Sequence, residues 1–250
     1  MLIYGWHTVN GALDRGENIN KIWIEKDLKN SFEIIKKAKE LNVPVSVVDY
    51  HKLNSILNEK ITPNTDTKKI NHQGIAADVA PVKYISYEDI LNIAAEKNQE
   101  PFIVLLDSIE DPVNIGAIIR TACAAGVHGI IIPKDRACQI TDVVYRVAVG
   151  ALNFINIARV TNLADTMKEL KKHGLWLIGA DSNGKELYYK ANLKGPVGLV
   201  IGSEGKGLRE LVKKNCDFIV KIPMFNQISS LNASIAAGIL IYEIVRQRNG

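Results

Sequence analysis

Residues 103–126 read IVLLDSIEDPVNIGAIIRTACAAG. A short unbroken apolar run ending on Asp107 is the pattern of a strand buried on both faces. Asp111-Pro112 stiffens the loop that follows, and Asn114 has the side chain of a good helix N-cap. The spacing predicts a helix over 114–125, stopped by Gly126. The same unit then recurs. Strands are predicted at 128–133 (HGIIIP), 154–158, 175–180 (LWLIGA), 197–202 (VGLVIG) and 218–223 (FIVKIP). Helices are predicted at 142–152, 162–173 and 208–215, with a long one starting at Ser230. Strands alternating with helices imply an α/β fold with a mostly parallel sheet covered on both faces. Ligands of such sheets sit outside the carboxyl ends of the strands. The loops after Asp107, Gly202 and Pro223 are therefore the places to look for chemistry.

Upstream, 21–25 (KIWIE) and 45–49 (VSVVD) alternate as short strands, and 71–79 (NHQGIAADV) enters a third. A helix over 31–41 would put Phe32, Ile35, Ala38 and Leu41 on one face, and 49–57 reads as another helix. This compact α/β stretch is expected to form a domain over 1–82. Residues 86–101 hold a helical pattern and then a polar break, so a linker is placed at 83–100 and a second domain at 101–250.

The chain has 250 residues, 47% hydrophobic and 23% charged. That is ordinary globular usage, which excludes disordered, collagen-like and disulfide-scaffold classes. The net charge of +4 permits a nucleic-acid partner without demanding one. The excess is uneven: residues 1–98 carry 13 basic and 13 acidic side chains, and 99–250 carry 18 and 14. The three cysteines, Cys123, Cys138 and Cys216, form no CxxC pair, so neither a zinc site nor a disulfide framework is expected. Free thiols, an opening segment without a charged-then-apolar leader and no apolar run of bilayer length lead to the expectation of a cytoplasmic protein with no membrane or metal partner.

One false lead is removed first. Residues 179–186 (GADSNGKE) follow a strand and nearly match a phosphate loop, but Glu186 stands where a Mg²⁺-binding hydroxyl belongs. Asn183-Gly184 reads better as a tight turn. Three other clusters carry more. In the first, Arg120 sits on a helix that is apolar almost all round, so it is expected to be partly buried and to need an anion or carbonyls. A structural ion pair is the plain alternative, as a simple cap is for Asn114. The second, Gly202-Ser-Glu204-Gly-Lys-Gly207, lets backbone approach a ligand or turn sharply. Glu204 would face that site or merely satisfy a helix start. In the third, residues 222–234, Ser229 or Ser230 can cap the last helix. Leu231, Ile235, Ile239 and Tyr242 would form its core face, while Ser230 and Asn232 project from its first turn.

Taken together, the three clusters resemble the SpoU/TrmH-type ribose 2′-O-methyltransferases of the knotted SPOUT superfamily, in order and at the expected strand ends. Gly5-Trp-His-Thr-Val-Asn-Gly-Ala-Leu13 resembles that family's G-x-x-x-V-x-x-A-L opening, and His72-Gln73-Gly74 its HQG. Two positions depart: Asn226 stands where members commonly carry Gly, and Trp6-His7-Thr8 replaces basic and small residues. Asn tolerates positive φ, so the turn at 226 is expected to survive.

The resemblance implies a trefoil-knotted parallel sheet preceded by a small ribosomal-protein-like RNA-binding domain. It implies S-adenosyl-L-methionine as cofactor, held by the main chain at Gly202, Ile222 and Leu231. Asn114, Arg120, Glu204, Ser230 and Asn232 are implied in the active site of a homodimer. There Arg120 would bind the target phosphate, Ser230 and Asn232 would bond the ribose, and Glu204 would order the site. The two-domain layout implies a guanosine ribose of 23S ribosomal RNA as substrate. A tRNA ribose, a non-catalytic RNA-binding assembly factor on the same fold, and a nucleotide-binding α/β enzyme are the competing readings. The N-terminal module, the retained polar residues and the want of a phosphate motif count against them in turn.

Overall fold

A computed structural model describes the chain except residues 18, 30, 62–70, 81, 136 and 226–229; for residues 59–61 it describes the backbone alone. The chain divides into two compact units, Met1–Val82 and Lys83–Gly250. In the first, β1 (Leu2–Tyr4), α1 (Trp6–Asp14), β2 (Ile19–Glu25), α2 (Ser31–Glu40), β3 (Val45–Val48), α3 (Tyr50–Ile61) and β4 (Ile75–Val79) follow in order. The sheet runs β1-β4-β2-β3, with β4 antiparallel to both neighbours and β3 parallel to β2. Leu2 and Ala76 pack with Leu53 and Leu57 in its core.

The His-Gln-Gly run has a structural use here. α1 starts on Gly5, which has φ 91° and offers no side-chain cap. Gln73 Oε1 supplies it, accepting from Trp6 N at 2.8 Å. His72 Nδ1 accepts from Gly74 N at 3.0 Å, in a turn where Gln73 and Gly74 have φ 51° and 74°. A Cβ at Gly74 would stand 2.9 Å from the Leu28 side chain. The turn that starts β4 thus also starts α1. The inward face of α2 differs from the expected one. Ile34 and Ala38 are buried, while Phe32 is 78% and Leu41 45% exposed. Leu41 lies beyond the last helical residue, so the i, i+4 pair at 34 and 38 sets the rotation.

In the second unit come α4 (Tyr87–Glu96), β5 (Phe102–Asp107), α5 (Pro112–Ala124), β6 (Gly129–Pro133), α6 (Asp142–Ala148) and β7 (Asn156–Val160). They are followed by α7 (Leu163–Lys172), β8 (Trp176–Ala180), β9 (Glu186–Leu187), β10 (Val197–Gly202), α8 (Glu210–Asn215), β11 (Phe218–Lys221) and α9 (Ala233–Asn249). The sheet is parallel throughout, in the order β7-β6-β5-β10-β8-β11-β9. β10 enters between β5 and β8, both laid down earlier in the chain. Gly202 pairs with Asp107 and Ile201 with Ala180, so the carboxyl ends of these three strands are level.

Several expectations are corrected. Residues 83–100 are no linker. Ser86 and Asp89 form a reciprocal capping box that starts α4. Its Ile90 is fully buried among Ile103, Leu105 and Ile131, over Gly129, where a Cβ would meet Ile90 Cδ1 at 2.5 Å. α5 is capped by Asp111, not Asn114: Asp111 Oδ1 accepts from Val113 N at 3.0 Å, with Pro112 in the first turn. Asn114 lies in the helix's first turn and is buried. α6 stops at Ala148 because Val149 and Gly150 take left-handed backbone, φ 47° and 79°. α9 is capped by Asn232, and it buries Ala237, Leu240, Ile241 and Ile244. Ile235 is 55% and Tyr242 50% exposed, opposite to the core face expected. With apolar residues on every side, periodicity alone could not choose the face. The expected turn residue Asn226 and the alternative cap Ser229 lie outside the described residues. No described helix is long and apolar enough to cross a membrane.

Candidate active site

At the level strand ends, β5 leads to the loop 108–111 and β10 to the glycine-rich turn 203–209. That turn is closed on itself. Gly207 N donates to Ser203 O at 2.8 Å, and a Cβ on Gly202 would lie 2.3 Å from the Gly207 carbonyl carbon. Only glycine fits at 202 without moving the turn. Its far end is tied to β5. The side chain of Asp107, fully buried, accepts from Arg209 N at 2.8 Å and from Arg209 Nε at 2.6 Å. Sequence reasoning missed this pair, which joins positions 102 apart. A carboxylate closing a buried strand was its one visible signal.

The closed turn presents Glu204 to two amides. Glu204 Oε1 accepts from Asn114 Nδ2 at 2.9 Å, from Asn232 Nδ2 and from Ala233 N at 3.2 Å. Asn232 Nδ2 also donates to Asn114 Oδ1 at 2.9 Å. Three elements far apart in sequence therefore meet in one polar triangle. Asn232 is fully engaged in it, because its Oδ1 caps α9 by accepting from Ser234 N and Ile235 N. It fixes Glu204 and Asn114, so its amide is committed to the scaffold rather than open to a ribose. Glu204 Oε2 carries no hydrogen bond among the described residues.

Beside the triangle lies a cleft at the ends of β8, β10 and β11. Gly202, Ile222 and Leu231 line it, with Ser230, Glu204, Ile201, Val220, Leu240 and the turn 180–183. The three expected cofactor positions thus share one cavity. The turn 180–183 is an addition to the loops after Asp107, Gly202 and Pro223 that were expected to carry the chemistry. It is the tight turn expected near Asn183-Gly184, with Gly184 N donating to Asp181 O at 2.9 Å and Asn183 N to Asp181 Oδ1 at 2.8 Å. Burial pushes the Asp181 carboxyl up, but Lys213 Nζ, at 2.8 Å, and the Asn183 N–H hold it below the ordinary carboxylate value.

Arg120 stands apart. It is exposed, not partly buried, and lines neither this cleft nor its neighbour. Six residues along a helix are about 9 Å and about 240° of rotation from Asn114. With Asn114 turned inward, Arg120 faces outward, beside exposed Val113. It has no hydrogen bond or ion pair among the described residues. Among those residues no group of three His, Cys, Asp or Glu side chains is placed to hold a metal.

A closed glycine turn, a polar triangle and a cleft at a reversal of strand order are the parts of an α/β enzyme that binds its ligand at the sheet edge. The model of the SpoU rRNA Methylase family matches residues 101–242, and that of RNA 2′-O ribose methyltransferase substrate binding matches residues 2–85. YacO of Bacillus subtilis (strain 168), a putative TrmH family tRNA/rRNA methyltransferase, is 41% identical over 249 residues, covering 99% of this chain and 96% of its own. The SpoU methyltransferase AviRb from Streptomyces viridochromogenes, solved in complex with AdoMet, is 25% identical with a TM-score of 0.75 over 99% of this chain and 90% of that one. An AdoMet-bound rRNA methyltransferase from Sinorhizobium meliloti is 27% identical with a TM-score of 0.76, over 98% and 86%. The chain belongs to the SpoU methyltransferase family and is an enzyme acting on RNA.

Proposed function

We propose that the chain methylates a ribose 2′-hydroxyl, of a guanosine, in 23S ribosomal RNA in the cytoplasm, with S-adenosyl-L-methionine as cofactor. The observation that carries this reading is the Asn114–Glu204–Asn232 triangle, whose Glu204 also lines the cleft of Gly202, Ile222 and Leu231. The cleft suits that cofactor chemically: apolar walls at Ile201, Val220 and Leu240 for a flat ring, main chain for its polar edge, and the Glu204 carboxylate for its positive charge. When bound, S-adenosyl-L-methionine supplies an electrophilic methyl group.

The chain's own groups do the positioning. Glu204 Oε1 is saturated by three donors, which leaves Oε2 to accept the hydrogen of the 2′-hydroxyl. The second amide hydrogen of Asn114 and the exposed Ser230 hydroxyl hold the rest of the sugar. Arg120 does not take the proton, because a guanidinium stays protonated in proteins. From the outward face of α5 it serves the cleft of a second copy of the chain, where it binds the phosphate beside the target through its fork and stabilises the oxyanion that forms. Arg120 shares its face of α5 with exposed Val113, and α9, which packs on α5, carries exposed Ile235 and Tyr242. This apolar surface around a cation supports a homodimer in which α5 and α9 of two copies meet. The insertion of β10 between β5 and β8 supports a threaded, knotted chain, and the family match over residues 2–85 supports RNA binding by the first unit.

The test is methyl transfer from labelled cofactor to 23S ribosomal RNA and to bulk tRNA, followed by digestion to nucleosides. The expected product is 2′-O-methylguanosine from 23S RNA. Label in tRNA alone would replace the ribosomal substrate. Transfer to neither RNA would leave a binding protein rather than an enzyme.

A further inference from the structure

A second cleft adjoins the first, and the turn 203–207 is the wall between them. It opens at the end of β5, lined by Glu110, Asn114, Ser203, Glu204, Lys206 and Arg209 among others. Its charges are arranged in a particular way. Glu110 lies on the β5 loop, exposed, with no hydrogen bond or ion pair among the described residues. Lys206, on the glycine turn, is likewise exposed and unpaired, and Arg209 is held through its Nε and main-chain N to Asp107. One side of the cleft therefore offers a bare carboxylate and the other offers cations.

A nucleotide is complementary to that arrangement, because it carries donors on its base edge and negative charge on its phosphate. The shared wall holds Glu204, so a sugar lying against that wall would place its base in the second cleft. We propose that the second cleft receives the target nucleotide and that Glu110 selects guanine, while Lys206 takes its phosphate. This deepens the reading of the chain as a ribose methyltransferase and rests on it. The selection follows from donor geometry. A carboxylate only accepts, and two parallel bonds need two adjacent donors. Guanine offers N1–H and the N2 amino group side by side. Adenine and cytosine offer one amino group beside an acceptor nitrogen, and uracil offers N3–H between two carbonyls. Either acceptor would face Glu110 with like charge.

The experiment is steady-state methyl transfer to 23S ribosomal RNA by the parent, Glu110→Gln and Lys206→Ala, with product nucleosides identified and cofactor affinity measured by calorimetry. The expected result for Glu110→Gln is a roughly ten- to hundredfold fall in kcat/KM, with 2′-O-methylated nucleosides other than guanosine now among the products and cofactor affinity as in the parent. Lys206→Ala is expected to raise KM for RNA and leave the product nucleoside unchanged. Parental kcat/KM with guanosine still the sole product in Glu110→Gln overturns the proposal, as does a pyrimidine product from the parent. A parent that methylates no RNA at all fails the underlying reading instead, and this proposal falls with it.

Discussion

The two ends of the seven-stranded sheet are both polar, and they differ in what their polar groups still have to give. At the amino end, Arg248 donates to the carbonyls of Glu100, Pro101 and Gly195 and lies over the Phe102 ring. There His128 uses both ring nitrogens, with Phe102 N and Gln99 Oε1. These side chains tie the last helix and the strand starts together. At the carboxyl end, Glu204 Oε2, Glu110 and Lys206 are left without partners among the described residues, and Arg120 is left so on the outward face of α5. Apart from the buried Arg248 Nε, which has no partner among the described residues, the polar groups of the amino end are spent on holding the fold, whereas capacity left over at the sheet edge is what a substrate can use.

The largest effect expected from that contrast is at Arg120. Arg120→Ala should cut methyl transfer by on the order of a hundred- to a thousandfold. Its thermal midpoint should stay within a few degrees of the parent, since the side chain is exposed and unpaired. Arg120→Lys should fall between the two, keeping charge but losing the fork. Parental rates from Arg120→Lys would remove bidentate phosphate binding. Next comes Glu204→Ala, which strands two amide donors and Ala233 N. Single-turnover rates should drop about a hundredfold, with about 1–3 kcal/mol lost in denaturant titration. At the other end the pattern should reverse. Arg248→Ala should lose about 2–4 kcal/mol of stability yet keep its specific activity per folded molecule. A strong loss of that activity would break the distinction between the two ends.

The smallest effect is in pH dependence. Burial first, then Lys97 and Arg248, lowers the His128 pKa below its ordinary 6.5. Burial also lowers His72, against the pull of Glu25. Below pH 6.5 the unfolded chain takes protons that these folded imidazoles refuse, so stability is full above that pH and falls as pH drops through it. Urea midpoints should decline from pH 7.5 to 5.5, and His128→Asn should flatten part of that decline.

Much of the fold was legible because local patterns were unambiguous. Residues 197–202 formed a bare apolar run, and β10 spans those residues. The faces of α2 and α9 were not legible, since apolar residues occur on more than one side of each and only packing chooses among them. The helical pattern after residue 86 was legible, but not that buried Ile90 and Ala94 anchor this capped helix, so that it is no linker. At the site, the family resemblance pointed to Asn114, Glu204 and Asn232, and the structure brings them together. Arg120 was expected inside because its sequence neighbours are apolar. Buried Ile115, Ile118, Ile119 and Ala122 decide which side of α5 faces in, and Arg120 lies opposite them. The Asp107–Arg209 tie depends on strand order, which no local window contains.

The most direct test of the central claim, that one chain completes its cofactor cleft while Arg120 serves the RNA alone, is calorimetric titration of S-adenosyl-L-methionine into the parent, Arg120→Ala and Gly202→Ala. The parent and Arg120→Ala should bind with equal affinity. Gly202→Ala should bind weakly or not at all, because its methyl would collide with the Gly207 backbone. Loss of cofactor binding in Arg120→Ala, or parental affinity in Gly202→Ala, would contradict it.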